Sequence, residues 1–414
     1  DQPCLAGYTC AASTSRLDKP CPGGRYCPEG TALGEELPCP SGHYCTKGSS
    51  NSTRCSEVGT WSSANASSCS LARPGFHALA SRTGEAQCPP GHFSSAGADV
   101  CYDPVGGALF DEASGGFGGS AFDIGVVFAE VGKVLAVGPF LGTLLAGRAL
   151  AATGETALLE QAIAGEVTLS AALDSDAAQG VADGEGWALT GTQPVVPFAA
   201  SADRIVVAAR TGEGPSLFLI EKGAPGIEIR DYPLIDGGAA GELMLDGAAA
   251  TLLGQAGEAG AIIEEAVAAG LVALCWEAVA IMDSLKVQTL EYLRTRKQFG
   301  VAIGKFQALQ HRMATLALEI EQARSSAINA ADRFAKGRLE REKAVSAAKF
   351  TIGRVGSLAA EEAIQMHGGI GMTWELPLSH YAKRLVMIGH QLGDEDMHLE
   401  RFIALGQDAL ATAS

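Results

Sequence analysis

"QMHGGIGMTWE", residues 365–375, follows a long helical pattern and sets three glycines into four positions. A dinucleotide-binding G-x-G-x-x-G fingerprint follows a strand and opens a helix. Here a helix comes first, so that reading fails. Two others stay open for Gly368 and Gly369. They can terminate a helix, or they can bring bare backbone N–H groups up to a phosphate, with Gln365 one turn earlier adding a side chain.

Upstream, the stretch from 259 onward reads as helices over about 259–296, 305–335 and 338–366, with one or two more after Pro377. Short glycine-containing links join them, the pattern of an antiparallel bundle. The first, about 38 residues at 1.5 Å rise, would reach roughly 57 Å, long enough to pack on another subunit. Where it turns into the second, "RTRKQFGVAIGKFQALQH" places Arg296, Phe299 and Gln307. An arginine there can pair with a phosphate, a glutamine can hydrogen-bond a base or ribose, and an aromatic ring can cover a ring. A solvated helix end with a glycine turn is the plainer alternative. The C-terminal "QLGDEDMHLERF" offers carboxylates that either act as a base or face water.

The middle of the chain, about 166–250, breaks into short β runs ("GWALTGTQPVV", "DRIVVAAR", "SLFLIEK", "GELMLDG") and predicts a compact antiparallel β domain. Residues 109–160 read as two amphipathic helices, with Ile124, Val127, Phe128, Val131 and Leu135 at helical spacing.

Residues 1–104 belong to another class. Ten of the eleven cysteines lie between Cys4 and Cys101, and only Cys275 lies beyond. The spacing repeats as Cys4-x5-Cys10, Cys21-x5-Cys27 and Cys39-x5-Cys45, then Cys55-x13-Cys69 and Cys88-x12-Cys101. So few aliphatic side chains cannot offset the entropy of ordering. Disulfides supply the missing constraint, each worth roughly 2–4 kcal/mol. Zinc fits less well, because x5 is not the usual ligand clip and no paired histidine is present. Five disulfides, of a connectivity that the spacing does not fix, and a free thiol at Cys275 are expected. The segment resembles ephrin-receptor-like cysteine-rich repeats, and N-x-S/T triplets at Asn51 and Asn65 agree with an extracellular origin.

The net charge of -17 over 414 residues disfavours nucleic acid and anionic membranes. The apolar stretch 134–147 is too short to span a bilayer. No metal-ligand set is named.

Taken together, R-x-x-F-G-x-x-I-x-x-F-Q followed by Q-x-x-G-G-x-G-M-T-x-E resembles the acyl-CoA dehydrogenase family, over about 109–410. It looks closest to the small subunit of pimeloyl-CoA-type dehydrogenases. The resemblance implies a multidomain fold: 1–104 cysteine-rich repeats, 105–162 a partial N-terminal helical domain, 163–255 a β middle barrel, and 256–414 an antiparallel four-helix bundle that binds FAD. It implies that Arg296, Phe299 and Gln307 meet the adenosine diphosphate half of FAD, and that Gln365, Gly368 and Gly369 of a neighbouring subunit close over it. The implied reaction is α,β-desaturation of an acyl-CoA thioester, with electrons passing to an electron-transfer flavoprotein.

The sequence departs from the family in three places. The usual glutamate base, nine residues after the arginine matched by Arg384, falls on Gly393; the alternative position falls at or near Gly270. Asp394 and Glu395 are the fallback carboxylates, and no catalytic residue is assigned. The flavin-contacting phrase T-E-P-x-x-G-S-D is missing, and the cysteine-rich head stands where the first helices belong. The expectation is a base-lacking small subunit of a heteromer with a large dehydrogenase subunit. The rivals are a secreted cysteine-rich scaffold with a degenerate body, and a self-sufficient homotetramer. The body points to cytoplasm or mitochondrial matrix and the head to the outside, as a fusion of two genes would; localisation stays open.

Overall fold

The computed structural model describes residues 4–11, 19–57, 60–72, 76–87, 104–184 and 186–413. The chain forms two compact units, Asp1–Pro104 and Val105–Ser414.

The first unit is a stack of antiparallel two- and three-residue hairpins: β1 (Tyr8–Thr9) with β2 (Lys19–Pro20), β3 (Arg25–Tyr26) with β4 (Leu37–Pro38), β5 (His43–Tyr44) with β6 (Thr53–Arg54), β7 (Thr60–Trp61) with β8 (Ser70–Leu71), and β9 (Phe76–Ala78) with β10 (Glu85–Gln87). Disulfides join Cys4–Cys10, Cys21–Cys27, Cys39–Cys45 and Cys55–Cys69. Cys88 and Cys101, the remaining two of the ten cysteines expected in disulfides, lie outside the described residues. The bonded cysteines themselves form the interior, with Cys21, Cys27 and Cys39 fully buried.

A backbone ladder then repeats from unit to unit. The N–H groups of Gly7, Gly24 and Gly42 donate to the carbonyls of Cys27, Cys45 and Ser62 at 2.8, 2.8 and 2.9 Å. The carbonyls of the same glycines accept from Cys21, Cys39 and Cys55. Each of the three has φ between +79° and +87° and faces a carbonyl oxygen two turns along, of Gly48, Asn65 and Ser81. A Cβ there would be both strained and in collision. The head is therefore a small solenoid, each turn contacting its neighbours.

In the second unit, α1 (Pro104–Leu109), α2 (Ala121–Val134), α3 (Phe140–Thr153) and α4 (Thr156–Ile163) precede the sheet. That is four helices where two were expected. Pro139 and Gly154 bound α3, while the short α1 and α4 carry too few periodic positions to be read. Ser120 and Asp123 form a capping box at the start of α2.

The sheet holds β11 (Leu169–Ala172), β12 (Ala178–Asp183), β13 (Gly186–Pro197), β14 (Arg204–Thr211), β15 (Gly214–Glu221), β16 (Ile227–Pro233) and β17 (Ala239–Leu253). Neighbours run β14-β12-β13-β17-β15 and return to β14. The circuit closes loosely, because β12 and β14 share the single parallel bridge Gln179↔Arg210. β11 also pairs with β14 in parallel. The sheet is thus mixed, not purely antiparallel: β11 reaches β14 through a long crossover that no turn signal announces.

Beyond lie α5 (Gly260–Thr295), the β18 (Lys297–Gln298) and β19 (Val301–Ala302) hairpin, α6 (Gln307–Arg333), α7 (Arg338–His367), α8 (Leu378–His390) and α9 (Glu395–Ala413). α5 is long and apolar enough to cross a bilayer, but 83% of its apolar window is buried within the fold. It is a core helix, the axis around which α2, α3, α6, α7 and α8 pack. Gly125 and Gly132 of α2 sit against Trp276 and the Glu277 carbonyl of α5, where added Cβ atoms would come within 2.6 Å.

Cys275 is fully buried, and burial pushes its thiol up to about 12. A thiol reagent should therefore count no group in the native chain and about one after denaturation without reductant. A count of several would show that the head is reduced.

Candidate active site

Both positions where the family resemblance would place a base converge on one spot, and both are closed by apolar side chains. A Cβ on Gly270 of α5 would lie 2.7 Å from Leu392, 2.9 Å from Leu145 and 3.4 Å from Leu141. Gly393, the next residue after Leu392, has φ +100°, and a Cβ on it would fall inside the Met397 methyl, 3.0 Å from His398 Nε2. Neither position can accept a glutamate without repacking. Of the fallback carboxylates, one is engaged elsewhere and the other faces solvent. Asp394 Oδ1 accepts the Met397 N–H at 2.9 Å at the start of α9, as an N-cap does. Glu395 is exposed and lies against Gly353 of α7.

Beside this spot is a cavity of about 60 Å³. Its walls include Phe128, Leu141, Phe198 and Leu234, and its polar end is Glu277 and Arg384. That volume has room for a few waters, far from the 300 Å³ or more of a typical ligand pocket. Arg384 Nε and Nη2 donate to both oxygens of Glu277 at 2.6 and 2.8 Å. Its Nη1 donates to Asp236 at 2.9 Å and to Gln391 at 3.1 Å. Burial works against the guanidinium charge, and Glu277 and Asp236 overcome it, so Arg384 is held more firmly protonated than a free arginine. Both Glu277 oxygens are held on Arg384, whose positive charge favours the ionised carboxylate and opposes its taking up a proton. The pair bonds α5 to α8, and Asp236 bonds the β16–β17 turn to Arg384 of α8. Glu277 has a sequence signal, a lone acid inside the apolar run "LVALCWEAVAIM". Asp236 has none, because its role depends on where an irregular turn lands.

The turn between α8 and α9 is fastened from below. Lys349 of α7 is fully buried, and its ammonium donates to the carbonyls of Gly389 and Gly393. Burial pushes it down to about 8, against the pull of Asp394. His398 of α9, also buried, pairs through Nε2 with the Leu392 carbonyl at 2.9 Å. Burial pushes His398 down to about 4; the Leu392 hydrogen bond and Asp394 oppose this, and Lys349 and Arg401 reinforce it. Since its folded value lies below the ordinary 6.5, the unfolded chain binds more protons between pH 4 and 6.5. Stability should rise with pH across that window and fall by about 2–3 kcal/mol on acidification through it. Urea midpoints at the two ends should show this, and His398→Gln should flatten that part of the slope; an unchanged slope would remove His398 as its source.

The sequence-derived cofactor residues gather at the far end of the bundle. Arg296 ends α5, with its N–H donating to the Tyr292 carbonyl at 2.8 Å and its carbonyl accepting from Ile303. Phe299 and Gly300 form the tip of the β18–β19 hairpin with φ +53° and +80°, and Phe299 is 90% exposed. Gln307 opens α6 and is exposed. Gly368 ends α7 with φ +67°, and Gln365, Gly368 and Gly369 are all exposed. Among the described residues, apart from each glycine's chain neighbours, nothing lies within 4 Å of a Cβ built on Gly368 or Gly369. By contrast, a Cβ on Gly371 would press on the Ile364 carbonyl at 2.8 Å, so this third glycine serves helix termination. Tyr292 stacks on His367 with ring centroids 4.4 Å apart, which brings the ends of α5 and α7 side by side.

The hairpin also carries a charge pattern that inspection of Arg296 alone misses. Arg294, Arg296, Lys297 and Lys305 are all exposed, and none makes an ion pair among the described residues. In a chain of net charge -17, four unpaired cations around one hairpin are a local anion-binding field.

A helical segment, a closed β circuit and a long-helix bundle with this glycine turn define a dehydrogenase-type fold, and comparison with known proteins agrees. The "Acyl-CoA dehydrogenase, C-terminal domain" family matches residues 258–404. Acyl-CoA dehydrogenase IpdE2 of Mycobacterium tuberculosis is 31% identical over 289 residues, 68% of this chain and 77% of the relative. Acyl-CoA dehydrogenase FadE27 of the same organism is 29% identical over 286 residues, 65% of this chain and 76% of the relative. Among solved structures, the ChsE4–ChsE5 complex from Mycobacterium tuberculosis superposes with a TM-score of 0.68 at 27% identity, covering 74% of this chain and 85% of that one. This chain belongs to the acyl-CoA dehydrogenase family.

Proposed function

We propose that residues 105–414 form the base-lacking, FAD-contacting subunit of a heteromeric acyl-CoA dehydrogenase. They would divide into a partial helical domain (105–162), a β middle domain (163–255) and the bundle (256–414), behind the repeat domain (1–104). The observation that carries the reading is the sealing of Gly270 and Gly393 by Leu141, Leu145, Leu392 and Met397. A solved relative being a complex of ChsE4 with ChsE5 supports a two-subunit assembly.

The residues fit a dinucleotide. The open space over Gly368 and Gly369 lets a phosphate chain approach backbone N–H groups that any larger residue would screen. Arg296, with Arg294, Lys297 and Lys305 around it, supplies the countercharge, and Gln307 and Phe299 offer a hydrogen bond and a ring face. All are exposed on the single chain, as a site shared with a second subunit requires. FAD, when bound, supplies a hydride acceptor. What this chain's residues do is hold the dinucleotide and exclude water; the proton would go to a glutamate of the large subunit. Acyl-CoA is the substrate of the assembly, and an electron-transfer flavoprotein receives the electrons.

The homotetramer rival needs Asp394 or Glu395 in the cavity; neither lines it, Asp394 capping α9 and Glu395 facing solvent, which disfavours it. The disulfide-bonded head favours the secreted-scaffold rival. Dialysis of the chain alone and mixed with a base-bearing large subunit, followed by a visible spectrum, separates the three. Flavin retained only in the mixture supports the heteromer. A colourless protein in both samples supports the scaffold, and a yellow, active chain on its own supports the homotetramer.

A further inference from the structure

The head carries two N-x-S/T triplets that no other role absorbs, and the solenoid places them differently. Asn65 stands at φ +64° with its N–H on the Cys39 carbonyl at 2.8 Å. Gly30 and Gly48 occupy the equivalent positions, with φ +87° and +82° and N–H groups on Cys4 and Cys21. That rung requires a left-handed residue, and asparagine is the usual substitute for glycine there. The backbone alone therefore accounts for Asn65. Its triplet also lies inside the loop that Cys55–Cys69 closes.

Asn51 has no such explanation. Its φ is not positive, it takes no part in the ladder, and it is exposed. Its Oδ1 accepts the Ser52 N–H at 2.9 Å, which leaves the amide nitrogen Nδ2 facing solvent without a partner among the described residues. The residue between Asn51 and Thr53 is serine, not proline. Thr53 is exposed in β6, and the triplet sits between the loops closed by Cys39–Cys45 and Cys55–Cys69, inside neither. Disulfides in so small a core form where thiols are oxidised, and in that compartment the head can be considered independently of the dehydrogenase reading. In eukaryotic cells that compartment also holds polyisoprenoid-diphosphate-linked oligosaccharide.

We propose that Asn51 is an N-glycan acceptor site. Nδ2 forms a bond to the anomeric carbon of the oligosaccharide and loses a proton; the bond from that carbon to the lipid diphosphate breaks, and the diphosphate leaves with the electron pair. No oxidant or reductant is needed. Asn65 is a poorer acceptor, because closure of Cys55–Cys69 during folding removes its triplet from the extended conformation that transfer requires.

The test uses the full chain targeted to the secretory pathway of insect cells, with cell-retained and exported material pooled. Release of glycans by peptide N-glycosidase in heavy-oxygen water marks each occupied asparagine as labelled aspartate, and non-reducing peptide mapping on the same sample reports the disulfides. The expected result is Asn51 labelled in molecules whose four disulfides are formed. Thr53→Ala should abolish the label and Thr53→Ser should keep it, while Cys55→Ser with Cys69→Ser should raise labelling of Asn65 alone. An unlabelled Asn51 in disulfide-bonded protein overturns the assignment, and so does a head that enters the pathway and fails to form the disulfides.

Discussion

Supplied with FAD but no second subunit, the chain should turn over acyl-CoA about 10²–10⁴-fold more slowly than a complex with a glutamate-bearing partner, because general-base catalysis is what it lacks. Abstraction of a proton beside a thioester needs a carboxylate oxygen within hydrogen-bond reach. Here Gly270 and Gly393 present Leu392, Leu141 and Met397 instead, and Glu277 has both oxygens on Arg384. Gly393→Glu should not restore activity, because its Cβ has no room beside Met397 and its backbone is at φ +100°. In the complex, Asp394→Asn and Glu395→Gln should change the rate by no more than about twofold, as exposed substitutions away from the chemistry do. Steady-state assays of the isolated chain and the complex decide the matter. An isolated chain that works at the complex's rate and loses it on either substitution would show that a shifted carboxylate is the base.

How much of this was legible follows from the range of the interactions involved. The bundle was, because α5, α6 and α7 each carry 27 or more residues of local pattern. The recurring x5 spacing and the disulfide character of the head were readable too, but which cysteines pair was not, because connectivity depends on how successive hairpins stack. The solenoid ladder was hidden, because it depends on Gly7, Gly24 and Gly42 meeting carbonyls of later turns. The parallel pairing of β11 with β14 has the same character: register across some 35 residues leaves no local trace. At the site, the glycine at position 393 was visible as a missing base. That Met397 and Leu392 close the gap, and that Lys349 ties the same turn from α7, belongs to packing between helices distant in sequence. Asp236 is the clearest case, an ordinary turn aspartate until Arg384 of α8 reaches it.

Gly369→Val should weaken FAD retention on the order of 100-fold or more, some 2.7 kcal/mol, while leaving the fold intact. The two halves of that expectation come from the same geometry. Gly369 has no positive φ and, among the described residues apart from its chain neighbours, no atom within 4 Å of a built Cβ, so valine meets no resistance there. Gly368 is the wrong residue to test, because φ +67° makes any side chain strained and confounds binding with folding. If the space over Gly369 exists for a dinucleotide, the isopropyl group occupies it and forces the phosphates away from the exposed N–H groups. If it is only solvent beyond a helix stop, the substitution is silent. Flavin content after dialysis of the assembled complex, beside urea midpoints of parent and variant, distinguishes the two. A variant that keeps both its midpoint and its flavin would return the glycines to helix termination, and with them the assignment of Gln365 and Gly368 to the cofactor. Arg296→Ala provides the independent arm: it removes one of four cations around the hairpin without touching the glycine turn, and loss of flavin in both variants supports both sets of residues as cofactor contacts.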